Sequence, residues 1–102
     1  MIFKVYGIND ELMESTIEYL NMTRKESEDI MVFDMSDDEG YREAIVDGIR
    51  YVPSIVCYDD NYGYIDMIEN INVSKSDIWG EYIGRDWLED VKLFISRVRL
   101  DV

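Results

Sequence analysis

The sequence predicts an α/β domain built on a mixed sheet, and three observations carry that reading. Short apolar, β-branched runs alternate with stretches of helical period, the pattern of βαβ units and hence of a parallel strand pair. The single proline, Pro53, stands directly before the run Ser54-Ile55-Val56-Cys57-Tyr58. The turn cluster Asp59-Asp60-Asn61-Tyr62-Gly63 then separates that run from Tyr64 to Ile68, a further strand expected to lie antiparallel to it.

The first strand runs from Ile2 to Tyr6, alternates, and ends at Gly7. Asn9 or Asp10 can cap a helix over about residues 10–22, with acids in a first turn where the helix dipole favours them. Leu12, Met13, Ile17 and Leu20 make its apolar stripe; Glu11, Glu14 and Glu18 lie off it. Residues 23–28 read as a polar link. The second strand, Ile30 to Met35, is a near-continuous apolar run broken by Asp34, which suits a parallel strand covered on both faces. Ser36-Asp37-Asp38-Glu39 starts a short helix, with Tyr41, Ala44 and Ile45 expected inward and Gly48 as its stop.

A proline inside a central strand would delete a ladder hydrogen bond, whereas at the first residue it costs little. Two forms of Pro53 stand open: an ordinary trans proline, or a cis proline, since X–Pro is the bond type in which cis is accessible. Residues 69–80 show no clear period. The last helix begins with Asp86 as cap and Glu89 three residues on, and buries Trp87, Leu88, Val91, Ile95 and Val98.

The opening Phe3-Lys4-Val5-Tyr6-Gly7, the stretch Val52-Pro53-Ser54-Ile55-Val56 and the closing Tyr82-Ile83-Gly84-Arg85-Asp86-Trp87 occur in the order and spacing of glutaredoxins and small thioredoxin-like proteins. The chain resembles that family over roughly residues 2–58 and 80–96, and most closely the short glutaredoxins of large tailed bacteriophages. The resemblance implies one domain over residues 1–102: a thioredoxin-like, glutaredoxin-type three-layer α/β/α fold with a mixed four-stranded sheet, a cis-proline at Pro53 and an insertion at about 69–80. It also implies a reactive cysteine at the start of the first helix. The window Gly7 to Thr16 holds none. Ser15 is a poor substitute, having no comparable thiolate and no histidine to activate it. Glutathione recognition in the family resembles a pairing of the backbone beside the cis-proline with a glycine-aspartate turn before the last helix. Val52-Pro53 matches the first part. Gly84-Arg85-Asp86 matches the second only in part.

Composition narrows the partners. The chain has 102 residues, of which 23 are acidic, 10 basic and none histidine, for a net charge of −13. That balance opposes direct binding to nucleic-acid phosphates and to anionic membranes; it serves solubility alone, or also a protein partner with a basic surface. No apolar run reaches the ~20 residues of a membrane helix, and no signal peptide is expected. One cysteine cannot form an internal disulfide, which fits a reducing cytoplasm, that of a host cell if the chain is phage-encoded.

No cofactor and no metal are expected. Cys57 sits in an apolar run and reads as a small buried hydrophobe. Asp37-Asp38-Glu39 and Asp59-Asp60 lack the spacing of a calcium loop. The aromatic set Tyr51, Tyr58, Tyr62, Tyr64, Trp79 and Tyr82 offers interface anchors, with half or more of them expected to pack in the core. The candidate binding residues are Tyr51, Val52, Pro53, Asp10, Glu11, Arg85, Trp79 and Tyr82, with no catalytic residue. The first expectation is a redox-inactive thioredoxin-like binding module or inhibitor. An acidic DNA mimic and a vestigial glutathione-type ligand binder are alternatives. A third class is a carboxylate enzyme using Asp34 with Glu14, for which two placements of Asp34 stand open: partly buried with a raised pKa, or at the exposed end of its strand.

Overall fold

All six residues from Ile2 to Gly7 are buried, because this first strand, β1, is covered on both faces and flanked on both edges. The structure is a computed structural model, and it describes residues 1–70 and 86–100. Within them the order is β1 (Ile2–Gly7), α1 (Glu11–Thr23), β2 (Asp29–Asp34), α2 (Asp38–Val46), β3 (Ser54–Tyr58), β4 (Tyr64–Glu69) and α3 (Trp87–Leu100). The sheet order is β2-β1-β3-β4. β1 runs parallel to β2, with Ile2 opposite Asp29 and Gly7 opposite Asp34. It runs antiparallel to β3, with Ile2 opposite Tyr58 and Tyr6 opposite Ser54. β4 closes an antiparallel hairpin on β3.

Alternation along the strands separates two cores, giving a mixed four-stranded α/β sheet with helices on both faces. Phe3, Val5, Ile55 and Cys57 point to one face and pack with Met13 and Leu20 of α1 and Trp87, Val91, Phe94, Ile95 and Val98 of α3. Tyr6 and Val56 point to the other and pack with Ala44 of α2. The two helices of the larger core are tied by a buried polar chain: Trp87 Nε1–H donates to Thr16 Oγ1 at 2.8 Å, and the Thr16 hydroxyl donates to the Leu12 carbonyl. A buried ion pair ties the end of α3 back to the link after α1. Arg99 donates to both carboxylate oxygens of Glu28, at 2.8 and 3.0 Å. Residues 23–28 are therefore more than a polar link.

Two expectations about coverage are corrected. β2 is an edge strand among the described residues, and Val32 is 49% exposed, so it is not covered on both faces. In α2, Tyr41 and Ile45 face outward, at 56% and 62% exposed, while Gly40 and Ala44 face the sheet. The reason is closeness. A Cβ on Gly40 would stand 2.0 Å from the Asp34 carbonyl oxygen, so the contact face of α2 admits only the smallest side chains. Gly48, at φ +71°, ends α2 in a Schellman motif: its N–H donates to Ile45, and that of Ile49 to Ala44.

The inward polar face of α2 carries a network that the sequence reading missed. Asp47, its side chain 4% exposed, accepts the hydroxyls of both Tyr6 and Tyr58. Lys4 Nζ lies 3.6 Å from Asp47 and 3.2 Å from Glu43, and stands over the rings of Tyr58 and Phe33. Lys4 within an alternating strand, and Glu43 with Asp47 one helical turn apart, were the available signals.

Candidate functional site

β1 and β2 both end where α1 and α2 begin, because each parallel strand hands the chain to a helix at its C-terminal end. β3 starts at that same end, with Ser54 opposite Tyr6. Topology thus gathers five of the expected residues, Asp10, Glu11, Tyr51, Val52 and Pro53, at one end of the sheet. Arg85, Trp79 and Tyr82 lie outside the described residues, as does most of the segment 69–80.

The Val52–Pro53 peptide bond is cis. Pro53 is buried, Val52 is half-buried against the Tyr6–Val56 core, and Tyr51 is exposed. β4 latches this loop: Glu69 Oε2 accepts the N–H groups of Arg50 and Tyr51, each at 3.0 Å, and the Pro53 carbonyl accepts from Asn70 at 3.0 Å. Ser54, next to Pro53, is fully buried, and its hydroxyl has no hydrogen-bond partner among the described residues.

Asp10 caps α1, its Oδ1 accepting from the Met13 N–H at 2.8 Å. Asn9, the other candidate cap, lines a cleft instead. That cleft encloses about 120 Å³ between Gly7, Met13 and Ile17 on one side and Val32 and Asp34 of β2 on the other. Its walls are mainly apolar, with Asn9 and Asp34 as the polar residues of the lining. Val52 and Pro53 do not line it.

Of the two readings open for Asp34, the raised-pKa one fails. Both the hydroxyl and the backbone N–H of Ser36 donate to its Oδ1, and they hold its carboxyl below the usual range. It is an ionised anion near neutral pH, not a raised-pKa acid, which removes the basis for a proton-transfer role with Glu14.

Cys57 stands in β3 opposite Phe3, fully buried in the α1–α3 core, four residues or about 13 Å along the strand from Pro53. Burial pushes its thiol up to about 12, so thiolate is scarce at neutral pH. The acidic doublets have local duties. Asp59 Oδ1 accepts from Asn61 and Gly63 to shape the β3–β4 turn, and Asp60 pairs with the Met1 ammonium. Among the described residues no three thiol or carboxylate side chains converge as metal ligands would. The aromatic set divides. Tyr58 meets both Tyr62 and Tyr64 at the hairpin, the far end of the sheet from Tyr51 and Pro53.

No described helix is long and apolar enough to cross a membrane. No protein-family model matches the chain, no curated protein matches its sequence, and no solved structure matches its fold.

Proposed function

We propose that this chain is a thioredoxin-like frame of the glutaredoxin type that has lost disulfide chemistry and serves as a protein-binding module or inhibitor. The strand order, the helices on both faces and the cis-proline opening β3 agree with what the resemblance implies. One observation carries the functional half. At the start of α1, where the resemblance puts a reactive thiol, the Asp10 carboxylate occupies the free N–H of Met13 that would otherwise steady a thiolate. A second anion there would meet repulsion from Asp10, Glu11 and Glu14.

The contact surface is the end of the sheet around Tyr51, Pro53 and the first turn of α1, and the partner presents basic groups to it. The likeness of Phe3-Lys4-Val5-Tyr6-Gly7 to phage glutaredoxins supports a phage origin and a host protein as that partner. A DNA mimic is the second reading, favoured by the one-sided charge of this end. Against it, Glu28 and Asp47 are buried in internal networks and take no part in an exposed row of charge.

Affinity capture from bacterial host lysate tests the proposal, with wild type beside the exposed-site double variant Tyr51→Ala/Glu11→Lys. A protein retained by wild type, weakened by salt and lost with the double variant is the expected result. Absence of any partner, or a partner indifferent to both changes, overturns it.

A further inference from the structure

Among the described residues β2 presents an open sheet edge beside an apolar cleft, and the two share Val32 and Asp34. Ile30, Met31, Val32 and Phe33 form an uninterrupted apolar run, with no lysine or proline to blunt it. Along the outer side of an edge strand every second residue leaves its N–H and C=O without a strand partner. Val32 is both the most exposed residue of that run and a wall of the cleft, facing Met13 and Ile17 of α1.

We propose that this edge takes an extended segment of a partner protein as a fifth strand, one apolar side chain of that segment filling the cleft and a Lys or Arg two residues away meeting Asp34. The spacing follows from the pleat. Val32 and Asp34 lie on the same face of β2, so residues of an added strand that stand beside them are also two apart. Ladder hydrogen bonds give affinity, and the cleft selects the side chain.

Charge decides the occupant. The edge ends at Asp34, and the neighbouring helix starts bring Asp10, Glu11, Glu14, Asp37 and Asp38 to the same end of the sheet. No basic residue occurs in residues 8–23 or 34–41. A second copy of this chain is disfavoured. Two β2 strands paired antiparallel about the Met31–Val32 centre would set Asp29 of one against Asp34 of the other, between bodies that each carry −13. A basic, alternating segment meets no such repulsion.

This inference rests on the binding-module reading and adds a surface and a partner chemistry to it. The test is an amide and methyl NMR titration of the full chain with an unstructured peptide containing Arg-x-Leu-x-Arg. The controls are the same peptide with Glu for Arg and one with alternate backbone amides methylated. The expected result is saturable shifts in residues 30–34 and in the Met13 and Ile17 methyls for the basic peptide. Affinity should fall at least tenfold with either control peptide and with Val32→Lys, and several-fold with Asp34→Asn. Circular dichroism checks that each variant is folded. Shifts confined to other surfaces, equal binding of the acidic peptide, or indifference to Val32→Lys overturns the inference. So does concentration-dependent self-association that Val32→Lys abolishes, since the edge would then belong to a second copy. If a captured lysate partner is lost with Tyr51→Ala/Glu11→Lys yet kept by Val32→Lys, this edge is not the contact while the binding-module reading stands. If no partner is captured at all, that broader reading fails.

Discussion

Arg99 closes a loop of 71 residues onto Glu28, whose side chain is 3% exposed. Burial opposes ionisation of Glu28, but the Arg99 guanidinium and the Lys25 N–H outweigh it and hold the carboxyl below its ordinary value of 4.5. A carboxyl with a depressed folded pKa stabilises the fold above its unfolded pKa, and that contribution is lost as pH falls through the folded value. Arg99→Ala leaves a buried charge unpaired and should cost about 3 kcal/mol at pH 7. Urea melts from pH 7 down past 4.5 should show the gap between variant and wild type closing, because a protonated Glu28 needs no cation. Asp47 is the other concentrated point. Burial first, and the Asp47 carboxylate second, push the Tyr6 and Tyr58 hydroxyls well above the ordinary tyrosine range. Asp47→Ala should destabilise by about 3 kcal/mol. Where that variant remains folded, absorbance titration should show these two tyrosines ionising closer to their ordinary value. Ser54→Ala should do the reverse of harm: removing a buried hydroxyl that has no partner among the described residues is expected to raise stability by about 1 kcal/mol.

At the scale of elements, contacts between neighbours depend on small groups. Gly40→Ala drives a methyl into the Asp34 carbonyl, which is backbone and cannot swing aside. α2 must lift from β2, and a loss of about 3 kcal/mol should outweigh the gain of about 1 kcal/mol in helix propensity. Thr16→Val strands the Trp87 N–H in the core and should cost about 2 kcal/mol in a denaturant melt. These contacts also show what the sequence could disclose. Strand positions were legible because alternation and β-branching are local, and Ser54–Tyr58 matches its expected bounds. The inward face of α2 was not. Bulk at Tyr41 and Ile45 suggested burial, whereas a close helix–sheet approach selects Gly40 and Ala44. The coverage of β2 was not legible either, because an apolar run looks the same on a central strand and on an open edge. Of the site, Pro53 and the capping Asp10 were readable from local chemistry. The cleft joining Met13 and Ile17 to Val32 arises only when α1 folds over the edge of the sheet.

For the whole molecule, the charge is distributed unevenly in effect. The acids of the first and second helix starts converge at the C-terminal end of the parallel pair, while Glu28, Asp47 and Asp60 are paired internally. The proposed basic segment would meet a surface of one sign around an apolar cleft and an edge that is open among the described residues. The lone thiol sits in the opposite circumstance, in the middle of the sheet and away from solvent. The proposed glutaredoxin-like frame would work here without sulfur chemistry. The most direct test is glutathione-dependent reduction of a small mixed disulfide, run with wild type and with Cys57→Ser. The account predicts that both proteins match the protein-free background at neutral pH. Turnover above background that disappears in Cys57→Ser would contradict it.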